Sequence, residues 1–430
     1  MKIIENPIEK DWQTILQRPT QTVNAIESIV NTVFDAVKIN GDIAISKFTK
    51  QFDKVDLNTT LVSENEIEEA CQLVSAGLKK AINVAKSNIE TFHKAQKTEK
   101  VRVETMKGVE CWQEKRAIQK IGLYIPGGTA PLFSTVLMLA IPAKIAACKE
   151  IVLCSPPDKN EKIHPAILYA ANLCGIIKIC KVGGIQAIAG MTFGTESIPQ
   201  VSKIFGPGNQ FVTVAKQLAT KYGIAIDMPA GPSELLIVAD ASANAAFIAS
   251  DLLSQAEHGT DSQVILVSTS KEMLITVSDE VKKQLCDLPR YEIAQQAIEN
   301  SKLIYVENDQ IALELINEYA PEHFIICTEN ENYFVENIEN AGSVFIGKYT
   351  PESAGDYASG TNHTLPTNGF SKAYSGVNLD SFQKSTTFQK ISKEGLLNIG
   401  KTIEVMAAAE GLQAHKNAVS IRLESLKVKK

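Results

Sequence analysis

Long apolar segments and an excess of positive charge are both missing from this sequence. No stretch of about 18 apolar residues occurs, so we expect no segment to span a membrane. The acidic residues in the opening "MKIIENPIEKDW" are incompatible with the apolar core of a signal peptide. The formal net charge is −6 and the pI is about 5.7, which argues against a nucleic-acid partner. We therefore expect a cytoplasmic protein that binds neither nucleic acid nor membrane.

Paired cysteines and the common nucleotide and hydrolase motifs are also missing. The 8 cysteines form no C-x-x-C pair, and several lie in apolar segments such as "EIVLCSP". In a reducing compartment they are expected to be small buried hydrophobic residues. A thiolate nucleophile is an alternative, although no feature distinguishes one cysteine from the others. Neither G-x-G-x-x-G nor G-x-S-x-G occurs, so Ser233 in "PAGPSE" is not predicted to be a hydrolase nucleophile.

A regular alternation of strand and helix patterns is present instead. From Ile121 onward, apolar segments such as "EIVLC" alternate with helical segments such as "HPAILYAANLCG", and the alternation resumes at "LLIVAD". This pattern predicts parallel sheets that are covered by helices on both faces. We predict two doubly wound α/β units, preceded by a short separate arm and followed by a helical tail. Ligands in such folds bind at the carboxyl ends of the strands.

Glycine-rich turns mark the first of these units. The segments "PGGTAP", "KVGGIQAIAG" and "FGPGNQ" each follow a strand pattern and precede a helix pattern. This placement suits the binding of phosphate at a helix N-terminus. Glycines also form ordinary turns between strands and helices, so both interpretations stay open.

Histidines are few, and most of them lie beside polar residues. Of the 6 histidines, His93 and His164 occur among ordinary helical residues and are expected to be structural. The segment "SQAEHGTDSQ" contains Gln255 and His258 in a polar stripe that predicts either a solvent-facing helix surface or half of a metal site. His258 and the remaining histidines, together with Asp356, supply enough ligands for one Zn²⁺ or Mn²⁺ site. The remaining histidines are His323, His363 and His415.

Glu322 and His323 in "APEHF" are the candidates for proton transfer. Histidine exchanges protons near neutral pH, and glutamate can activate water or orient an imidazole. Adjacent residues of a strand point to opposite faces. We therefore expect the two side chains to diverge and to have separate roles.

A series of longer segments links these candidates. They are "IGLYIPGGTAPLFSTVLM", "GGIQAIA", "FGPGNQFV", "DMPAGPSELLIVAD", "LLSQAEHGTDSQ", "APEHF", "AGDYASGTNHTLPT" and "EGLQAHKNAV". In this order they make the chain resemble the histidinol dehydrogenase family from about Val23 to Arg422. The resemblance implies a zinc-dependent, NAD-linked, four-electron oxidation of L-histidinol to L-histidine through L-histidinaldehyde, in the last steps of histidine biosynthesis. It also implies a homodimer with shared active sites and two incomplete Rossmann-like units with mainly parallel sheets.

The resemblance also implies roles for individual residues. The acid/base pair would be Glu322 and His323. The ligands of one Zn²⁺ per subunit would be Gln255, His258, Asp356 and His415. The NAD contacts would be Tyr124, Gln186 and Asn209. The substrate contacts would be Ser233, Gln255, His258, His323, Asp356, Glu410 and His415.

The resemblance and the alternation together predict a division of the chain. Residues 1–22 form an N-terminal arm, and residues 121–234 form the NAD-binding domain. Residues 23–120 and 235–377 form the domain with the metal and catalytic residues. Residues 378–430 form a helical tail that serves dimerisation and completes the site.

Three alternatives stay open from the sequence. A zinc hydrolase acting on an amide or phosphate would use the same glutamate, histidine and metal ligands. A nucleotide-binding regulatory protein without catalysis would keep the glycine-rich turns. A relative within the family could act on another amino alcohol or a sulfonate. The identity of the metal in the cell and the role of His363 are also open.

Overall fold

A computed structural model describes residues 1–19, 23–127 and 130–427 of the chain. Two residues of the predicted turn "PGGTAP", 128 and 129, lie outside the described residues, as do residues 20–22 of the predicted arm. The described part divides into two compact units. The first unit comprises Met1–Gln96 and Ile118–Phe382, and the second comprises Lys97–Ala117 and Gln383–Lys430.

The strands are numbered in chain order. They are β1 (Lys2–Glu5), β2 (Val101–Met106), β3 (Val109–Ala117), β4 (Lys120–Tyr124), β5 (Glu150–Cys154), β6 (Lys178–Cys180), β7 (Lys203–Phe205), β8 (Ala225–Ile226), β9 (Glu234–Ala239), β10 (Gln263–Ser268), β11 (Lys302–Tyr305), β12 (His323–Cys327), β13 (Ser343–Ile346) and β14 (Gln383–Ile391).

The helices are numbered in the same way. They are α1 (Glu9–Ile15), α2 (Val23–Phe52), α3 (Glu64–Leu73), α4 (Ala76–Ala95), α5 (Phe133–Ile145), α6 (Pro165–Leu173), α7 (Gly184–Phe193), α8 (Gln210–Lys221), α9 (Ala245–Ala256), α10 (Lys271–Leu285), α11 (Tyr291–Glu299), α12 (Asp309–Tyr319), α13 (Glu331–Asn337), α14 (Glu352–Tyr357), α15 (Lys393–Ala409) and α16 (Gln413–Lys427). Two short 3₁₀ turns cover Phe370–Lys372 and Leu379–Phe382. Among the described helices, none is both long and apolar enough to cross a membrane.

The larger sheet of the first unit has six strands in the order β1-β11-β10-β9-β12-β13, and all are parallel. The central strands β9, β10 and β12 are buried along their whole length, as their continuous apolar sequences predict. Leu235 and Ile237 of β9 face a core with α9, α10 and α11, while Leu236 and Val238 face a second core with α1 and α12. The sheet is therefore covered on both faces.

The N-terminal arm is part of this sheet. Strand β1 pairs with β11, and Trp12 of α1 is buried against the second core. The expectation of a separate arm is therefore wrong. A strand of four residues carries too little pattern of its own to show where it pairs.

The smaller sheet of the first unit has five parallel strands in the order β6-β5-β4-β7-β8. Val30, Phe34 and Ile45 of α2 are buried in one core with residues of this sheet and of α7. The sequence-based division instead groups residues 23–120 with the larger sheet. The apolar face of an amphipathic helix is compatible with packing against either sheet, so only the tertiary structure decides which sheet α2 covers. The predicted class of two Rossmann-like units with mainly parallel sheets is confirmed.

The second unit contains a three-stranded antiparallel sheet in the order β14-β3-β2, together with α15 and α16. The rings of Trp112 and Phe388 stack across β3 and β14 at 5.2 Å. A Cβ on Gly395 would lie 2.1 Å from the carbonyl oxygen of Gly108, so the close approach of α15 to the β2–β3 turn requires glycine at position 395. The sequence predicts the helices of this tail but not the sheet, because β14 pairs with a strand that is distant along the chain.

The cysteines are free thiols of differing exposure. The buried ones agree with the expectation of small hydrophobic residues, whereas Cys286 is exposed. The buried cysteines are Cys148, Cys154, Cys174, Cys180 and Cys327.

Candidate active site

The candidate residues of the first unit meet at the amino edge of the larger sheet. Strands β9 and β12 begin there with Glu234 and His323. Helix α9 follows β9 and runs back along the sheet, so its last turn brings Gln255 to this edge. The sequence analysis expects ligands at the carboxyl ends of the strands, whereas these candidate residues lie at the opposite edge of the larger sheet. Gln255 reaches this edge because α9 returns from the carboxyl edge.

Glu322 and His323 are close together. The Oε2 atom of Glu322 lies 3.5 Å from Nδ1 of His323 and accepts a hydrogen bond from the Glu234 N–H at 2.9 Å. The Nδ1 atom of His323 is 3.1 Å from the carbonyl oxygen of Glu234 and donates to it. The expected divergence of the two side chains is wrong, because Glu322 precedes β12 and is not bound by the alternation of the strand.

A cluster of three potential metal ligands lies beside His323. The ligand atoms of His258, Glu352 and Asp356 all lie within 4.8 Å of one another, and we call these residues the cation cluster. Nε2 of His323 is 3.5 Å from Oδ1 of Asp356 and 4.0 Å from Oε1 of Glu352. The sequence predicts His258 and Asp356 but misses Glu352. The available signal is the spacing of four residues in "ESAGDY", which places both carboxylates on one face of α14.

Gln255 supports the cation cluster from α9. In the orientation that satisfies its amide, the nitrogen donates to Oε1 of Glu352 at 2.7 Å and the oxygen accepts from the Glu234 N–H at 3.3 Å. Ser254 donates to the other oxygen of Glu352 at 2.7 Å. Gln255 is 1% exposed, so the solvent-facing interpretation of its polar stripe is wrong at this residue.

His415 and Glu410 lie in the second unit. Glu410 ends α15, and His415 lies in the first turn of α16. Both residues are exposed. Their roles as metal ligand and substrate contact stay predictions.

Burial and mutual charge set the protonation of this region. Burial alone would lower the pKa of His323, but the nearby carboxylates of Glu322 and Asp356 hold it well above the usual range. Burial would raise the pKa of Asp356, but His323 holds it well below its usual value. Burial raises the pKa of Glu352 to about 8, although His323 opposes the shift. The carboxyl groups of Glu322, Glu352 and Asp356 thus all lie within 4.0 Å of the His323 ring nitrogens.

The residues present fit a divalent cation. Nε2 of His323, Oδ1 of Asp356 and Nε2 of His363 are buried and have no hydrogen-bond partner among the described residues. His363 also brings Nδ1 to 4.0 Å from Oδ1 of Asp356. Buried polar atoms without partners are costly, and imidazole nitrogens with carboxylate oxygens form a donor set typical of Zn²⁺ and Mn²⁺ sites.

A cavity of about 430 Å³ opens beside the cation cluster, and we call it the cluster cavity. Ser233, His258, Glu322 and His363 all line it. Ser233 immediately precedes β9 and therefore lies at the same edge of the larger sheet. The cluster cavity is thus lined by the neutral hydroxyl of Ser233 and by side chains that can exchange protons.

The predicted NAD contacts line a second cavity of about 600 Å³, which we call the turn cavity. Tyr124 ends β4, Gln186 lies in the first turn of α7, and Asn209 caps the N-terminus of α8. All three therefore lie at the carboxyl edge of the smaller sheet, as expected. Gly206 is essential to this edge, because at φ +129° a Cβ would lie 2.0 Å from the carbonyl oxygen of Tyr124.

Hydrogen bonds hold the polar side chains that line the turn cavity. The hydroxyl of Tyr124 accepts from the Gly184 N–H at 3.1 Å, and Gln186 donates to Asp53 at 3.0 Å. Burial raises the pKa of Tyr124 to about 12 and that of Asp53 to about 6. Asp53 also lines the turn cavity, and the sequence analysis misses it because it follows α2 without any motif.

The two cavities adjoin each other. His258, Asn209 and Gly208 line both of them. A molecule in the turn cavity can therefore reach a molecule in the cluster cavity next to the cation cluster.

The two histidines expected to be structural make local contacts. His93 is buried and places Nδ1 2.8 Å from the carbonyl oxygen of Ile89. His164 precedes α6 and accepts from the Ala166 N–H at 3.3 Å, which caps that helix.

Comparison with known proteins identifies the family of the chain. Residues 16–423 match the family described as histidinol dehydrogenase. The chain belongs to this family. It is 59% identical over 427 residues to the histidinol dehydrogenase of Bacteroides thetaiotaomicron, which covers 99% of this chain and 100% of that protein. It is 53% identical over 418 residues to the histidinol dehydrogenase of Escherichia coli K12, covering 96% and 95%.

A solved structure agrees with the histidinol dehydrogenase fold over the whole chain. The crystal structure of histidinol dehydrogenase from Elizabethkingia anophelis has a TM-score of 0.97 and 56% identity, and 99% of each chain is covered. As a member of the histidinol dehydrogenase family, the protein is an oxidoreductase. This membership argues against the alternatives of a zinc hydrolase and of a regulatory protein without catalysis.

Proposed function

We propose that this protein oxidises L-histidinol to L-histidine through L-histidinaldehyde, with transfer of two successive hydrides to NAD⁺, in the last steps of histidine biosynthesis. The observation that carries the proposal is that His258 belongs to the cation cluster and lines both cavities. Hydride transfer requires cofactor and substrate to be in contact, and two adjoining cavities meet this requirement. The family to which the chain belongs supports histidinol as the substrate.

The cofactor NAD would occupy the turn cavity. Tyr124, Gln186 and Asn209 supply neutral donors and acceptors there. The N-termini of α7 and α8 point their free N–H groups to the same edge, where a pyrophosphate is stabilised. This arrangement serves the dinucleotide without a G-x-G-x-x-G motif.

A zinc ion would be held by Gln255, His258 and Asp356, with His415 as the fourth predicted ligand. When bound, such an ion orients the imidazole and amine of the substrate and offsets the buried carboxylates. Glu352 lies within ligand distance of His258 and Asp356 and holds the amide of Gln255. It is therefore either a further ligand or the group that orients Gln255.

His323 is the base proposed for the substrate hydroxyl. Its Nδ1 donates to the carbonyl oxygen of Glu234, so Nε2 is the atom that exchanges the proton. Nε2 faces Asp356 and has no hydrogen-bond partner among the described residues. Removal of the hydroxyl proton at this atom allows the first hydride to leave the carbon.

Glu322 is the base proposed for the water that hydrates the aldehyde. Its side chain lines the cluster cavity and is held by the Glu234 N–H. Hydration adds water across the C=O bond, so the carbon that keeps its C–H bond again carries a hydroxyl, as the second hydride transfer needs. Retention of the aldehyde in the cluster cavity would also keep it from bulk water until that step.

A homodimer would complete the site. Exposed apolar residues on α15 and α16 support an interface on the second unit, since such residues are costly to leave in water. They are Leu397, Val405, Met406, Leu412 and Ile421. We propose that Glu410 and His415, which lie among them, reach the site of the partner, where Glu410 would bind the ammonium group of the substrate.

The test is an assay of NADH formation from histidinol before chelation, after chelation and after zinc is restored. The proposal expects activity that chelation abolishes and zinc recovers. Failure of the zinc-loaded protein to form NADH would overturn it. Other amino alcohols serve as the comparison, and a higher kcat/KM for one of them would assign the chain to a different substrate.

A further inference from the structure

The backbone of one residue, Glu234, contacts both groups proposed for proton transfer. Its N–H donates to Oε2 of Glu322 at 2.9 Å, and its carbonyl oxygen accepts from Nδ1 of His323 at 3.1 Å. Glu234 is the first residue of β9, and β9 pairs in parallel with β12, where His323 is opposite Leu235. The position of a single peptide segment thus sets the direction of two side chains.

The side chain of Glu234 is anchored away from the cavity. The carboxylate is 2% exposed and forms two bonds with Arg18, from Nε to Oε1 at 2.5 Å and from Nη2 to Oε2 at 2.9 Å. The Asn368 N–H also donates to Oε1, at 2.7 Å. A two-point pair of this kind fixes the plane of the carboxylate as well as its position.

Arg18 is itself held in place by α12. Its Nη2 donates to the carbonyl oxygen of Tyr319 at 2.7 Å, and its guanidinium lies 4.0 Å from the centre of the Tyr319 ring. The Arg18 side chain is 15% exposed. Arg18 follows α1 closely, so the pair joins the N-terminal segment of the chain to the start of β9.

Stability alone does not require this pair. A buried ion pair loses hydration that its mutual attraction only roughly offsets, and apolar residues of similar volume often do as well. The two bonds between Arg18 and Glu234 fix the orientation of the Glu234 backbone, which in turn holds Glu322 and His323. An apolar pair would not fix this orientation.

We propose that Arg18 is a positioning residue for the proton-transfer groups, which it orients through Glu234. The inference rests on the proposed function of Glu322 and His323. It extends the active site to the N-terminal segment, although Arg18 itself lines neither cavity.

The test compares Arg18→Met with Arg18→Lys. Methionine fills much of the volume without donors, and lysine keeps the charge but loses the two-point geometry. In zinc-loaded protein, we expect Arg18→Met to lower kcat about 10- to 100-fold and Arg18→Lys to lower it several-fold, with KM for histidinol nearly unchanged. The matched control is Lys271→Met, which removes the exposed ion pair between α10 and Glu5 of the N-terminal segment. It should leave kcat within about twofold.

A structural role would give a different result. If kcat fell only in proportion to the folded or zinc-loaded fraction, or if it stayed within about twofold in Arg18→Lys, the inference would be wrong. Arg18→Lys keeps the test decisive if Arg18→Met does not fold.

A second readout does not depend on activity. Histidine-selective ¹⁵N labelling gives few signals, since the chain has 6 histidines. The Nδ1 proton of His323 should be protected from exchange in the wild type and lose protection in Arg18→Lys. Unchanged protection would contradict the inference. A wild type that forms no NADH would instead contradict the proposed function and leave this measurement intact.

Discussion

The two edges of the sheets that form the cavities differ in charge. The amino edge of the larger sheet gathers buried ionisable groups, among them Glu322, His323, Glu352 and Asp356. The carboxyl edge of the smaller sheet offers the neutral groups of Tyr124, Gln186 and Asn209, and glycine-rich turns. One edge suits the proposed proton exchange and cation binding, and the other suits the proposed dinucleotide.

The direction of the neighbouring helices explains this difference. At the carboxyl edge of a parallel sheet the following helices begin, and their N-termini carry partial positive charge that attracts phosphate. At the amino edge the same helices end, and their C-termini carry partial negative charge. Helix α9 ends there at Ala256, two residues before His258. The cation cluster at one edge and the proposed phosphate site at the other are therefore consistent with the polarity of the backbone.

The largest expected effect is a loss of kcat when proton exchange at the amino edge of the larger sheet is removed. His323→Ala should lower kcat by about 10²- to 10⁴-fold, because a base is lost at the substrate hydroxyl, while KM for histidinol changes little. Steady-state kinetics with zinc-loaded protein measure both constants. His164→Ala is the matched control, since His164 only caps α6, and it should keep its kcat. A change in KM alone would contradict the role assigned to His323.

The next effect compares zinc retention after loss of a carboxylate at the amino edge and at the carboxyl edge of the larger sheet. Glu352→Gln should weaken zinc retention about 10- to 100-fold, whether Glu352 binds the ion or orients Gln255, and His258→Ala should also lose zinc. Equilibrium dialysis against a chelator, followed by metal analysis, gives the affinity. Glu329→Gln, which changes a carboxylate after the carboxyl end of β12, should retain zinc like the wild type. Equal zinc loss in both glutamate variants would contradict the cation cluster.

A smaller effect concerns the smaller sheet. Asn209→Ala should raise KM for NAD about fivefold and destabilise the protein by ~1 kcal/mol, because α8 loses its N-cap. Zinc retention should not change. Asn244→Ala removes the corresponding cap of α9, so it should cost similar stability without a change in KM for NAD. If both variants raised this KM equally, the turn cavity would not be the cofactor site.

The smallest effect is a pH dependence at Asp53. Burial raises its folded-state pKa from 3.8 to about 6, so its contribution to stability is fully present below about pH 4 and is lost as the pH rises through 6. Asp53→Asn lacks this dependence. The wild type should therefore lose ~1 kcal/mol relative to the variant between pH 4 and 7, after allowance for partial exposure. Thermal unfolding of both proteins at several pH values measures this, and parallel curves would contradict it.

Much of the fold could be read from local patterns. Continuous apolar strands that alternate with helices predict the two parallel sheets, because that pattern depends on a few neighbouring residues at a time. Motifs and the family resemblance also indicate Gln255, His258 and Asp356, which the first unit does bring together. The same reasoning misses the sheet of β2, β3 and β14, since pairing between distant strands leaves little trace in either strand alone.

The sequence by itself determined the class of fold, the family and the side chains available for chemistry. Only the tertiary structure decided that Glu352 joins the cation cluster, that Glu322 and His323 lie 3.5 Å apart, and that Arg18 reaches Glu234. These contacts depend on how helices return across a sheet and on which segments share an edge. Such choices are made by packing over the whole unit, and no short stretch of residues encodes them.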